Sequence, residues 1–152
     1  MGLGTFLAFL GVALAAILPG IGSVFGINFA ARAAGGVLTE DPDKFGSLFL
    51  YVVLPGTQGF YGFVIAFLIL NAIKGLGDIS VMQGWQLFAA SLPIAVTGLL
   101  SAIYQGKVCV SGVNLVAKKP AHAMKGVIYA AMVETYAVLG LLISLFLIMA
   151  VK

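Results

Sequence analysis

Glu134 is the only acidic residue inside the four long apolar stretches of this sequence. A carboxylate at the centre of a membrane helix costs at least about 2.5 kcal/mol, so its presence there suggests a function that involves a partner. The structural alternative is a protonated glutamic acid that hydrogen-bonds across a helix interface. The chemistry that we expect of Glu134 is binding of a cation or a proton.

Two further polar side chains are expected at the depth of this carboxyl group. Glu134, Gln105 and Thr57 each lie 12 or 13 residues from the segment that joins the first stretch to the second or the third to the fourth. At 1.5 Å per helical residue, all three lie roughly 18 to 20 Å from those segments. The spacing therefore predicts that the three side chains converge.

The segment before Thr57 adds two more oxygen atoms. Pro55 lacks an N–H and disturbs the preceding turn, so the carbonyl of Leu54 is expected to turn away from helical bonding, and Gln58 adds a second amide. One carboxylate among neutral oxygens favours Na⁺ or Li⁺ over Ca²⁺ or a transition metal. A proton carrier would need Glu134 alone, and Thr57 and the glutamines would then only hydrogen-bond within the bundle.

Four apolar stretches, at about 3–31, 46–73, 81–106 and 126–151, must position these groups. The chain is 62% hydrophobic and 9% charged, and each stretch is long enough to cross a bilayer. We predict an all-α membrane protein of four transmembrane helices.

The N-terminus has no basic segment or cleavage signal and is interpreted as a mature helix. The few scattered lysines exclude a nucleic-acid partner.

The two halves of the sequence are related by a shift of 78 positions without gaps. Gly20 matches Gly98 and Thr57 matches Thr135, whereas Glu134 matches Gly56. Because the shift spans two helices, both hairpins point the same way, which indicates a parallel and not an inverted repeat. The predicted hairpins are 1–76 and 77–152.

Small residues on the first stretch predict close helix packing. Gly22, Gly26, Ala30 and Ala34 follow one another at four-residue spacing, a pattern that lets backbones approach in lipid.

The distribution of positive charge predicts an orientation. We name the segment between the first and second stretches loop 1-2 and the segment between the third and fourth loop 3-4. Most basic residues lie in or beside these two loops, and only two lie near the opposite ends of the stretches. The first group is Arg32, Lys44, Lys107, Lys118, Lys119 and Lys125; the second is Lys74 and Lys152. The positive-inside rule places loops 1-2 and 3-4 in the cytoplasm and both termini outside.

The motifs resemble the 16-kDa proteolipid of the rotor ring of V-type ATPases, most closely the K subunit of the bacterial sodium-translocating type. The similarity covers essentially the whole chain. It includes Gly-Ile-Gly-Ser in the first stretch, Pro-Gly-Thr-Gln-Gly in the second, Gln-Gly-Lys in the third and Met-Val-Glu-Thr-Tyr in the fourth.

This resemblance implies a homo-oligomeric ring in which Glu134 carries the ion. It implies Na⁺ ligands from the side chains of Thr57, Gln58, Gln105 and Glu134 and the carbonyl of Leu54, with Tyr61 hydrogen-bonded to Glu134. It also implies a stator subunit that supplies an arginine, central-stalk subunits at the cytoplasmic loops, and a bacterial plasma membrane. ATP hydrolysis would occur on separate subunits, so the chain itself is not an enzyme.

Three other functions fit the residues. A V-type ring could carry H⁺ on Glu134 alone. A self-contained four-helix antiporter could exchange a cation for protons, although a parallel repeat argues against it. A purely structural proteolipid would tolerate Glu134→Gln without effect.

Overall fold

The computed structural model describes residues 2–152, which contain four helical spans long and apolar enough to cross a membrane. The first span is α1 (Leu3–Glu40) and the third is α4 (Val81–Lys118). The second begins with the 3-10 turn Pro42–Lys44 and contains α2 (Phe45–Val53), the 3-10 turn Leu54–Gly56 and α3 (Thr57–Leu76). The fourth contains the 3-10 turn Pro120–His122 and α5 (Ala123–Ala150). The predicted all-α membrane fold is confirmed.

The helices extend further than the apolar stretches on which the prediction was based. The first and third apolar stretches were expected to end near residues 31 and 106, but their helices run to Glu40 and Lys118. Arg32 and Lys107, expected in or beside loops, therefore lie within helices. A helix of 38 residues is about 57 Å long, against about 30 Å of hydrocarbon.

Proline sets both helix ends. Asp41 precedes Pro42 and Lys119 precedes Pro120, and both preceding residues leave the helical conformation, with φ of −144°. Steric contact with the proline ring disfavours the α conformation in the residue before it.

The repeat seen in the sequence is present in the structure. α1 and α4 each contain 38 residues, and their bounds differ by 78 positions, as do those of the 3-10 turns that follow them. The two hairpins differ at two places. The second span is interrupted at Pro55, whereas α5 passes unbroken through the equivalent Val133, and α3 continues to Leu76, past the counterpart of the end of α5. The chain is thus two tandem hairpins, as predicted.

The first and third spans form the interior of the four-helix unit. In the most apolar window of each span, 39% and 44% of the residues are buried in the first and third spans, against 22% and 17% in the second and fourth. The small-residue face of α1 lies in this contact. A methyl group on Gly106 would collide with the backbone of Gly26, so both positions require glycine for the helices to approach this closely.

Two side chains tie the hairpins together at the end where loops 1-2 and 3-4 lie. The Tyr51 hydroxyl donates to the carbonyl of Ala123, and its buried ring lies against Gly112. Lys44 Nζ donates to the carbonyl of Ala117 at 3.0 Å and pairs with Asp41 at 3.2 Å.

Candidate ion-binding site

The carboxylate of Glu134 accepts hydrogen bonds from two other spans. The Tyr61 hydroxyl lies 2.6 Å and Thr57 Oγ1 2.8 Å from Glu134 Oε1, and Gln105 Nε2 lies 3.1 Å from Glu134 Oε2. Thr57 and Tyr61 belong to α3, Gln105 to α4 and Glu134 to α5. The structure therefore brings together the three residues whose shared depth predicted convergence, and Tyr61 with them.

The interruption at Pro55 sets the position of Thr57. Because proline has no N–H, the chain tightens into the 3-10 turn Leu54–Gly56, and the Thr57 amide donates to the carbonyl of Leu54. Thr57 Oγ1 lies 3.0 Å from the same carbonyl oxygen. The Leu54 carbonyl was expected to turn away from helical bonding; it instead accepts the 3-10 hydrogen bond of this turn, and Thr57 Oγ1 lies beside both this carbonyl and the carboxylate.

The hydroxyl of Thr57 is surrounded by more acceptors than it can serve. Its oxygen lies 2.8 Å from Glu134 Oε1, 3.0 Å from Leu54 O and 3.4 Å from Gln58 Oε1. One hydroxyl carries one proton and donates to one of these oxygens at a time. Three acceptor oxygens therefore share the one proton of this hydroxyl, and oxygen atoms are the ligands that a small hard cation prefers.

Two buried side-chain amides, linked to each other by a hydrogen bond, extend the network from the carboxylate. Gln58 Nε2 donates to Gln105 Oε1 at 2.7 Å, and Gln105 Nε2 donates to the carbonyl of Ala130 at 3.1 Å as well as to Glu134. Both glutamine side chains are fully buried. Gln58 directs its amide oxygen toward Thr57, whereas Gln105 directs its nitrogen toward the carboxylate.

Ser101 belongs to this network and was not among the predicted site residues. Its hydroxyl accepts from Gln58 Nε2 at 3.2 Å and donates to the carbonyl of Val133 at 3.0 Å. The signal was present in the sequence: Ser101 lies four residues before Gln105, on the same face of the helix.

No basic side chain balances the charge of Glu134 within residues 2–152, where the one salt bridge joins Lys44 and Asp41. In the same residues, no three His, Cys, Asp or Glu side chains come together. An ionised Glu134 thus offers a single negative charge and several neutral oxygens to a ligand. The arrangement fits a monovalent cation or a proton.

Both hairpins match one family model, that of the C subunit of ATP synthase, over residues 10–69 and 88–147. The two matched segments are offset by 78 positions, the shift found in the sequence. The chain therefore belongs to the family of ATP synthase C subunits, which confirms the resemblance inferred from the motifs. It is a non-catalytic proteolipid, with ATP hydrolysis on other subunits.

The names of the individual relatives differ, and two of the three described here state an ion. The chain is 53% identical to the K subunit of the V-type sodium ATPase of Enterococcus hirae, over 96% of this chain and 92% of that protein. It is 38% identical to the K subunit of the A-type ATP synthase of Methanocaldococcus jannaschii, over 93% of this chain and 61% of the relative. It is 24% identical to the human 16 kDa proteolipid of the V-type proton ATPase, over 94% of this chain and 91% of that protein.

Proposed function

We propose that this chain is the ion-carrying rotor-ring subunit of a V-type ATPase and that it binds Na⁺ at Glu134. The observation that carries the proposal is the group of acceptor oxygens around Thr57 Oγ1, within 3.4 Å of it, beside a carboxylate without a basic partner among the described residues. The relative with 53% identity is named a sodium ATPase subunit, which favours the same ion.

Each residue has a distinct part in the proposed site. Glu134 supplies the charge, and Thr57, Gln58 and the Leu54 carbonyl supply neutral oxygens. Tyr61 donates to the carboxylate and holds it in place. Gln105 would contribute its amide oxygen, which requires the amide to turn from the orientation described above. Li⁺ has the same charge and a preference for oxygen, so we expect it to substitute for Na⁺.

The bound cation makes rotation through lipid energetically accessible. A carboxylate paired with Na⁺ is nearly neutral, so the proposed ring can turn it past hydrocarbon at a low cost. A stator subunit that presents an arginine would attract the carboxylate and release the ion. Moving one charge against 100 mV takes about 2.3 kcal/mol, which ATP hydrolysis on separate subunits would supply.

The same proposal assigns the surroundings of the subunit. Copies of the chain, each built of hairpins 1–76 and 77–152, form the ring in a bacterial plasma membrane. Both termini face outward, and central-stalk subunits dock at the cytoplasmic loops 1-2 and 3-4. The support is the excess of lysine and arginine at those loops.

Proton transport is the second candidate, because the human relative is named a proton ATPase subunit. A proton carrier needs Glu134 alone. It gives no role to the oxygens of Thr57, Gln58 and Leu54, and for this reason Na⁺ is preferred.

The test is the rate at which a carbodiimide labels Glu134 in the detergent-solubilised protein, over a range of pH. Carbodiimides attack a protonated carboxyl group, whereas bound Na⁺ requires the same group to be deprotonated. We expect millimolar Na⁺, and also Li⁺, to slow labelling, and K⁺ to leave it unchanged. Labelling that varies with pH and ignores Na⁺ would assign Glu134 to H⁺.

A further inference from the structure

Ser101 forms two hydrogen bonds, and the direction of one fixes the direction of the other. Its hydroxyl donates to the carbonyl of Val133 at 3.0 Å, and its oxygen lies 3.2 Å from Gln58 Nε2. Because a carbonyl only accepts and a hydroxyl carries one proton, Ser101 faces Gln58 as an acceptor. The group of Gln58 that meets Ser101 is therefore its NH₂, which leaves the amide oxygen directed to Thr57.

A second backbone carbonyl sets the direction of the Gln105 amide. Gln105 Nε2 donates to the carbonyl of Ala130 and to Glu134, both at 3.1 Å, and its oxygen accepts from Gln58 Nε2 at 2.7 Å. Gln58 thus uses one amide hydrogen on Ser101 and the other on Gln105. Each hydrogen of the two amides has an acceptor, and in the described part of the chain no buried side-chain nitrogen or oxygen lacks a partner.

Binding of a cation by the oxygen of Gln105 breaks one link of this network. When the amide turns, its NH₂ takes the place of the oxygen that now lies 2.7 Å from Gln58 Nε2. Two NH₂ groups cannot hydrogen-bond to each other, since both only donate. Gln58 then has two alternatives. Its NH₂ stays on Ser101 alone, or the amide turns as well and takes its oxygen away from the site.

We propose that Ser101 is a positioning residue of the sodium site, whose hydroxyl holds the amide oxygen of Gln58 on the cation while the amide of Gln105 turns. This inference rests on the proposed function and deepens it, because it states what keeps two glutamine oxygens on one ion. A turn of Gln58 would force Ser101 to donate to the amide oxygen and to give up the carbonyl of Val133. The hydrogen bond to Val133 therefore opposes that turn.

The position of Ser101 in the repeat supports this role. Its counterpart in the first hairpin is Ser23, whose oxygen accepts from the backbone N–H of Gly59 at 2.9 Å. Two equivalent serines, one on α1 and one on α4, thus accept from consecutive residues at the start of α3. Ser101 and Gln58 are both buried, so no other acceptor is close at hand if the hydroxyl of Ser101 is removed.

Carbodiimide labelling of Glu134 during a Na⁺ titration tests this role in Ser101→Ala. We expect the Na⁺ concentration that halves the labelling rate to rise by roughly 2- to 10-fold, the effect of one neutral hydrogen bond. The rate without Na⁺ should change little, because the carboxylate takes its hydrogen bonds from Thr57, Tyr61 and Gln105. A variant that merely loosened the helix bundle would change both quantities.

Ser91→Ala is the matched control. Ser91 is a buried serine of the same helix, and its hydroxyl donates to the carbonyl of Phe88 at 2.7 Å. Its replacement should leave Na⁺ protection unchanged. Ser101→Cys is a second test variant that keeps the position filled. Because a thiol is a weak donor and a weak acceptor, we expect a smaller shift in the same direction as for Ser101→Ala.

A double-mutant cycle shows whether Ser101 acts through Gln58. Gln58→Met keeps the length of the side chain and removes the amide, so it should weaken Na⁺ protection by itself. Ser101→Ala added to Gln58→Met should then have no further effect on the Na⁺ concentration at half protection. The full effect of Ser101→Ala in the Gln58→Met background would overturn the proposed role.

The same titrations separate this role from the proposed function. Unchanged protection in Ser101→Ala, with protection present in the unmodified chain, would overturn the role of Ser101 alone. An equal loss of protection in Ser91→Ala and Ser101→Ala would also overturn it, because the loss would then come from the packing of α4. Absence of Na⁺ protection in the unmodified chain would overturn the sodium site and, with it, the role of Ser101.

Discussion

At the scale of single residues, the chemistry of the site depends on the acceptor oxygens that lie around the hydroxyl of Thr57. Tyr61 and Gln105 each donate to the carboxylate of Glu134, at 2.6 and 3.1 Å. Thr57 is the residue around which the remaining acceptors gather. Its hydroxyl oxygen is therefore the atom whose removal should weaken cation binding most selectively.

Replacing Thr57→Val keeps the shape of the side chain and removes this oxygen. Hydrogen bonds to charged groups contribute about 1.5–3 kcal/mol, so we expect roughly 10- to 100-fold more Na⁺ to be needed to protect Glu134 from a carbodiimide. Thr57→Ser keeps the hydroxyl and should stay within a few-fold of the unmodified chain. Equal protection in Thr57→Val and Thr57→Ser would mean that this oxygen is not a ligand.

Residue spacing predicted part of the site. Counting residues from the loops placed Glu134, Gln105 and Thr57 at one depth, and the structure joins them. The orientation of the Gln105 amide could not be predicted in the same way, because it depends on two neighbours from other elements, Gln58 and the carbonyl of Ala130. A hydrogen-bond direction is set by the acceptors that tertiary packing supplies, which spacing along one helix does not contain.

At the scale of elements, glycine determines how closely the first and third spans approach. A methyl group on Gly26 would collide with the carbonyl of Ala102 and would lie 2.6 Å from Cβ of Pro55. Gly26 thus packs against both α4 and the turn that positions Thr57. Crowding at this point would disturb the packing of the helices and the ion site together.

Gly26→Ala is expected to destabilise the protein by about 1–3 kcal/mol, since an added methyl group in a packed contact forces the helices apart. Thermal unfolding in detergent, followed by circular dichroism, measures the change as a lower Tm. Gly35→Ala on the same helix is the control, because a Cβ there meets nothing within 4 Å. Alanine is the better helix former, so the Tm of this control should stay equal or rise. An unchanged Tm in Gly26→Ala would contradict the close approach.

The number and order of the helices could be predicted from apolar length, but their ends could not. Ala33, Ala34 and Leu38 continue the helix of α1 past Arg32 and pack in an apolar cluster, although the predicted stretch ended beside that charge. Hydropathy predicts whether a segment lies in lipid or in water. It does not predict where a helix ends, because helix formation depends on backbone hydrogen bonds and on helix propensity. The better signals for the ends were Pro42 and Pro120, at which both long helices stop.

At the scale of the whole molecule, the chain is one structural unit used twice. α1 and α4 share their bounds to the residue after a shift of 78, yet only the second hairpin carries the carboxylate. Both hairpins also point the same way across the membrane. A carrier that alternates access around a midplane site is typically built from inverted halves, which this chain does not have.

The chain alone is therefore not expected to exchange Na⁺ for H⁺. Vesicles that contain only this polypeptide, loaded with a pH-sensitive dye and given a Na⁺ gradient, should show no Na⁺-dependent change of internal pH. A small-molecule Na⁺/H⁺ ionophore added to the same vesicles is the positive control. Exchange by the polypeptide, abolished by Glu134→Gln, would support a self-contained antiporter and contradict the proposed dependence on a stator.

The presence of Gly56 at the repeat position of Glu134 affects how many ions the proposed ring moves per turn. In a ring with a given number of helices, one carboxylate per four helices halves the ions moved per turn relative to one per hairpin. The same work per turn is then divided among half as many ions. Each ion can be driven against twice the electrochemical difference, at about 2.3 kcal/mol per 100 mV. Under the proposed function, a ring with glycine at position 56 moves fewer ions per turn but can build a steeper final gradient.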